Sequence, residues 1–238
     1  HADVHTLKFL PSDPTILFTG SDGGVHKTVS NVADRVEWIS LNNGYYTTQF
    51  YTIAIDHGEN NSDKVIGGLQ DNGTLLSRDK NIYDPWVTPS KADGFCCAIP
   101  DGGEEYYTSQ NSSNQPKIKM WRVVQNEDGS NKWQTRIDPI GGQDFIWNTP
   151  FILDPNNSNR MYLAGGNIVW RNNNLKDIPY SNSTDSISIG WDSLDATRLD
   201  NFPSGQVRAE SVTALGISQS PANVIASFFS SGHSSMCF

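Results

Sequence analysis

Cysteine is scarce in this 238-residue chain: only Cys96, Cys97 and Cys237 are present. An odd number excludes a complete disulfide framework. Cys96 and Cys97 are neighbours, and neighbours on a strand point to opposite faces, so a bridge between them would need a strained turn. No histidine lies near them in sequence to suggest zinc. They read as two small packing residues, with a redox or metal role as the alternative. Charge is also scarce, at 18% of residues, and basic charge most of all: 17 Lys and Arg stand against 26 Asp and Glu, a net −9. Nucleic acid wants a basic stripe, and anionic lipid wants a basic face, so neither is an expected partner. No apolar run approaches the roughly 18 residues of a membrane-spanning helix. The sequence begins at His1 with no signal-peptide pattern, which reads as a processed chain or a piece of a longer one.

Turn formers and aromatics fill the space that charge leaves. Hydrophobic residues make up 36%, but the chain holds 20 Gly, seven Trp and eight Tyr, with abundant Asn and Ser. That mixture describes short strands joined by tight turns. The phrase PSDPTILFTGSDGGVHKT, residues 11–28, then recurs in weakened form; FILDPNNSNRMYLAGGNIVWR, residues 151–171, is a clear later copy. Each copy runs strand, Asp-Pro or Pro turn, strand, Gly-rich turn, strand. The central apolar residues of the first strands are Phe9, Ile53, Ala98, Ile152 and Leu215, in steps of 44, 45, 54 and 63. A four-stranded propeller blade takes roughly 40–50 residues. The two longer steps hold insertions, placed within 124–148 and 172–210.

The expected fold is therefore all-β: a β-propeller of four-stranded antiparallel blades over residues 1–238. The blades fall near 5–45, 46–90, 91–145, 146–205 and 206–238, the last incomplete. Four to five blades with an unfinished last one read as part of a larger propeller, completed by the rest of its own ring or by a partner chain. Trp38, Trp86, Trp133 and Trp191 are expected on or beside the outer strands, covering the apolar faces between sheets. DATRLDNF, residues 195–202, is the best local candidate for a helical turn.

HADVHTLKFLPSDPTILFTGSDGGVHKT, LNNGYYTTQFYTIAI and GGLQDNGT together resemble exported bacterial proteins with BNR or Asp-box repeats, related in fold to sialidase, sortilin and xyloglucanase propellers. The resemblance is specific over residues 1–74 and looser beyond. It implies a secreted or cell-surface location. The Asp-box itself, Ser/Thr-x-Asp-x-Gly-x-x-x-Trp, is degraded: Ser77, Asp79 and a distant Trp86 survive in one copy, Asp128, Gly129 and Trp133 in another. In such families the box is structural. The segment bearing His1, Asp3 and His5 lies near the channel of the resembling propellers.

Asp22 and Asp71 occupy equivalent turns, SDGG and QDNG, 49 residues apart. They could be carboxylates at a channel mouth, serving a glycosidase as acid and base at roughly 5–9 Å. They could equally satisfy turn backbone while Gly takes positive φ. His1, Asp3 and His5 alternate, so an extended strand puts them on one face, able to bind a ligand or a transition metal or to make structural hydrogen bonds. Gln49, Tyr51 and Gln70, with Tyr45 and Tyr46, suit either sugar binding or blade packing. Sequons stand at Asn60, Asn72, Asn111, Asn156 and Asn182, to be glycosylated if the source is a eukaryotic secretory protein. No cofactor is expected, since no P-loop, GxGxxG or zinc spacing is present. The expected function is a non-catalytic module binding extracellular polysaccharide or protein. The alternatives are a glycoside hydrolase with acids at the channel mouth, and a scaffold in a surface or secretion assembly.

Overall fold

Strands of five to nine residues with apolar side chains on both faces need cover on both sides, and stacking sheets face to face supplies it. The computed structural model takes that solution. It describes residues 3–44, 48–58, 64–78, 81, 83–112, 118–199, 210–219 and 225–231. His1, Tyr45, Tyr46, Asn60, Asp79 and Cys237 fall outside them. The described residues are all-β apart from two single 3-10 turns, Leu175–Asp177 and Asp195–Thr197. The second of these lies in the segment 195–202, where a helical turn is expected and of which residues 200–202 fall outside the described ones.

The chain divides into two units, His1–Gln49 and Phe50–Phe238. The first is one antiparallel meander of β1 (Val4–Leu10), β2 (Asp13–Ser21), β3 (Gly24–Thr28) and β4 (Ile39–Ser40). Its tight turns are held locally. Asp13 accepts the amide and hydroxyl of Thr15 at 3.0 and 2.6 Å. Asn42 accepts the Val25 amide at 2.8 Å and donates to the Gly23 carbonyl at 3.0 Å.

The second unit carries three further meanders and a hairpin. They are β5–β8 (Phe50–Ile55, Val65–Leu69, Gly73–Ser77, Val87–Ser90), β9–β12 (Gly94–Ala98, Glu105–Asn111, Ile118–Gln125, Asn131–Arg136) and β13–β16 (Phe151–Asp154, Asn157–Gly165, Ile168–Asn172, Trp191–Leu194). The hairpin is β17–β18 (Glu210–Ile217, Ile225–Ser231). Within each meander the strands are antiparallel and neighbour one another in chain order. The first strands line up: β5 lies beside β9, β9 beside β13 and β13 beside β17. First strands side by side with sheets stacked outward from them are the arrangement of a β-propeller.

Three apolar seams hold the stack. Ile66 and Leu76 of the β5–β8 sheet pack with Cys97, Ile99 and Tyr106. On the other side of the β9–β12 sheet, Cys96, Tyr107, Ile118 and Met120 pack with Met161 and Leu163. The opposite face of β14, Tyr162 and Ala164, meets Val212 of β17. Cys96 and Cys97 thus serve two different seams, as their adjacency on a strand requires.

The outer-strand tryptophans divide. Trp191 is buried and donates its indole N–H to the Ile137 carbonyl at 2.7 Å. Trp38 and Trp86 are covered only in part, Trp86 by Phe50, with ring centroids 6.2 Å apart. Each sits one residue before its strand, outside the alternation that would aim it inward, and is 44% and 41% exposed.

Candidate functional site

In an up-and-down sheet, the turn between the second and third strands and the segment entering the first strand share one end. In the second unit that end holds the turns 70–72 and 166–167 and the joining segments 91–93 and 137–150. Their packing is direct. Gly73 forms a parallel bridge with Asp93. A Cβ on Gly166, whose φ is +65°, would meet Asp144 Cβ at 2.9 Å and the Gln143 carbonyl oxygen at 3.0 Å.

Asp93 organises the first of these turns. Its Oδ1 accepts the Asp71 amide at 2.9 Å, and its Oδ2 accepts the Asn111 side-chain amide at 2.7 Å. Asp71 itself has φ +59° and Gly73 φ +75°. The left-handed backbone is the strained state for an aspartate, and the bond from Asp93 helps to hold it. Asp93 is thus a carboxylate that satisfies this turn. Sequence reasoning passed over it, although its Asp-Gly step before β9 repeats the SDGG and QDNG signal.

An aromatic row crosses the same end. Tyr51, second residue of β5, stands edge-on to Phe95, second residue of β9, with centroids 5.6 Å apart at 67°. Phe95 in turn meets Trp147, from the segment before β13, at 5.2 Å and 62°. Phe95 is fully buried; Trp147 is 59% exposed. The Thr52 hydroxyl donates to the Phe95 carbonyl at 2.8 Å. The row is buried at its centre and open at Trp147. Tyr51 was singled out in the sequence, whereas Trp147 was not, because it lies in an insertion outside the repeat.

Gln70 is exposed in the turn, where its carbonyl accepts the Asn72 side-chain amide at 3.0 Å. Gln49 is exposed ahead of β5. In the first unit, Asp3 precedes β1 and its carbonyl accepts the Asp22 amide at 3.4 Å. The His5 Nε2 lies 2.6 Å from Asp22 Oδ1, the two side chains being 64% and 31% exposed. A histidine–carboxylate pair at that distance ties β1 to the turn after β2. Among the sequons, Asn111 commits its side-chain nitrogen to Asp93, and exposed Asn156 donates to Asp154 Oδ1 and the Ser218 carbonyl, both at 3.1 Å. Asn182 is exposed, and its Oδ1 accepts the Gln134 amide at 3.1 Å.

The turn after β11, where the sequence keeps Asp128 and Gly129, is closed by its own side chains. Asp128 Oδ1 accepts the Ser130 amide at 2.8 Å and hydroxyl at 2.6 Å, and Gly129 takes φ +85°. The Ser130 hydroxyl, then its amide, holds the Asp128 carboxyl below its usual value. This is carboxylate use by a turn, with no reacting group beside it in these bonds.

Neither a family model nor a curated protein matches the sequence. Among solved structures, the chain is similar to the WD40 repeats of RRP9, with 14% identity over 75% of this chain and 50% of that one, at a TM-score of 0.36. It is similar to YCF48 from Cyanidioschyzon merolae, with 12% identity over 90% and 60% and a TM-score of 0.38. It is also similar to the GH74 xyloglucanase from Xanthomonas campestris, with 12% identity over 79% and 30% and a TM-score of 0.39. The chain therefore spans less than two thirds of each of these structures.

Proposed function

We propose that this chain is an exported propeller module of the BNR/Asp-box kind that binds extracellular polysaccharide without cleaving it. The observation that carries the reading is Trp147. A large ring more than half exposed, braced edge-on by a fully buried Phe95 that also holds Tyr51, is a preorganised apolar face. Such a face suits the apolar side of a pyranose ring, and a rigid ring loses little entropy when it is covered. The Asp128 turn between third and fourth strands supports the Asp-box part of the reading, and the resemblance over residues 1–74 supports export.

The test is affinity electrophoresis and calorimetry against a panel of soluble polysaccharides, with reducing-sugar release followed in parallel. Binding without release is expected, weakened about tenfold or more by Trp147→Ala, the scale of loss seen when an interface anchor is truncated. Equal binding by the variant would sink the role of Trp147. Release of reducing ends, abolished by Asp22→Ala or Asp71→Ala in folded protein, would replace the binding module by the hydrolase. No polysaccharide binding together with co-purification of a stable protein partner would favour the scaffold.

A further inference from the structure

The insertion between β15 and β16, residues 173–190, runs back over the β9–β12 sheet. Its root is fixed by Arg122, a β11 side chain only 1% exposed. The guanidinium donates to the Leu175 carbonyl at 2.8 Å and to the Ile178 carbonyl at 2.5 Å, and stacks 4.3 Å from the centroid of the Tyr180 ring. The Tyr180 hydroxyl donates to Glu105 Oε2 at 3.1 Å, while Tyr107 donates to Oε1 of the same carboxylate at 2.6 Å. Burial, and then the Glu105 charge, push both phenols upward, so both remain protonated donors.

Beyond Tyr180 the insertion follows the outer edge of β12. The Gln134 amide donates to Asn182 Oδ1 at 3.1 Å, and the Arg136 amide to the Ser183 carbonyl at 3.0 Å. Past the end of β12, Ile187 donates to the Asp138 carbonyl and Ile140 to the Ile187 carbonyl, closing a parallel bridge. β12 is the last strand of its sheet, and its outward amides are a ready template for another chain. A side-chain oxygen and an irregular backbone occupy them instead of a regular strand.

We propose that residues 173–190 are an edge guard, latched by Arg122 and Tyr180, and that unlatching them opens β12 to pairing with a second copy of this chain. The test is a latch variant, Arg122→Met, and an independent surface variant, Tyr180→Ala with Asn182→Ala and Ser186→Ala, which keeps Arg122 should the first fail to fold. Hydrogen exchange is read on the peptide covering 131–136, and association by sedimentation velocity. Exchange of that peptide should rise at least ~10-fold while β10 and β11 stay protected, and the protein should shift to a larger, concentration-dependent species than wild type. Adding Gln134→Pro removes one outward amide without touching the β11 ladder and should return the variant to the wild-type association state. Unchanged exchange, opened exchange without a shift in association, or association that Gln134→Pro does not reverse would each overturn the proposal.

Discussion

Gly68 lies against the carbonyl of Phe95, so close that a Cβ built on the glycine would overlap that oxygen. Gly94 approaches the carbonyl of Gly73 in the same way. These contacts let β9 settle onto β6 and β7 and carry Phe95 to the position where Trp147 and Tyr51 meet it. The obstructing atoms are backbone, which cannot rotate aside. Gly68→Ala and Gly94→Ala should each cost about 1–3 kcal/mol or more, as overpacking does. Gly216→Ala, where nothing lies within 4 Å, should change stability far less. Urea unfolding of the three variants measures the contrast.

Asp138 is fully buried and accepts four hydrogen bonds: the Met120 amide at 3.1 Å, Arg136 Nε and Nη2 at 2.7 and 2.9 Å, and the Ser186 hydroxyl at 2.8 Å. Asp138→Ala strips the Arg136 guanidinium of its closest counter-charge in a mostly buried place. A loss of about 3–5 kcal/mol is expected, the usual consequence of breaking a buried pair. The urea midpoint should fall with an unchanged slope.

Burial pushes the Cys96 thiol up to about 12 and raises Cys97 as well. Thiolate is the reactive form, so neither residue should react with iodoacetamide in the native protein at neutral pH. Both should be modified once urea unfolds the chain. Peptide mass spectrometry reads each site separately, and native labelling of either residue would contradict the packing described.

The Asp128 carboxyl sits below its ordinary 3.8, held first by the Ser130 hydroxyl and then by the Ser130 amide. A lowered folded-state pKa means that the ionised turn stabilises the fold above 3.8 and that this contribution is lost as pH falls through the folded value. The stability gap between wild type and Asp128→Ala should therefore be constant from neutral pH down to about 3.8, narrow below it, and be closed once pH has fallen past the folded value. A gap that persists in stronger acid would show that the carboxylate is not its source.

Much of the architecture was legible because strand periodicity is local. The run MYLAGGNIVWR places Gly166 at φ +65° in a two-residue turn, and Met161 and Leu163 face one seam while Tyr162 and Ala164 face the next. The candidate site was legible only in part. Tyr51 and Asp71 fall inside the repeat and could be picked out by comparing copies. Trp147 and Arg122 could not, because the partners that give them meaning, Phe95 and Tyr180, are 52 and 58 residues away.

By itself the sequence determined an all-β chain of repeated antiparallel meanders, because alternation, turn residues and repeat spacing act over a few residues at a time. Tertiary structure decided which carboxylate serves a turn, which tryptophan is covered and which stays open, and where the 173–190 insertion lies. Those outcomes depend on what stands opposite each side chain across a seam. For the Phe95 carbonyl it is a glycine with no Cβ, and for β12 a segment that follows three strands of the next sheet.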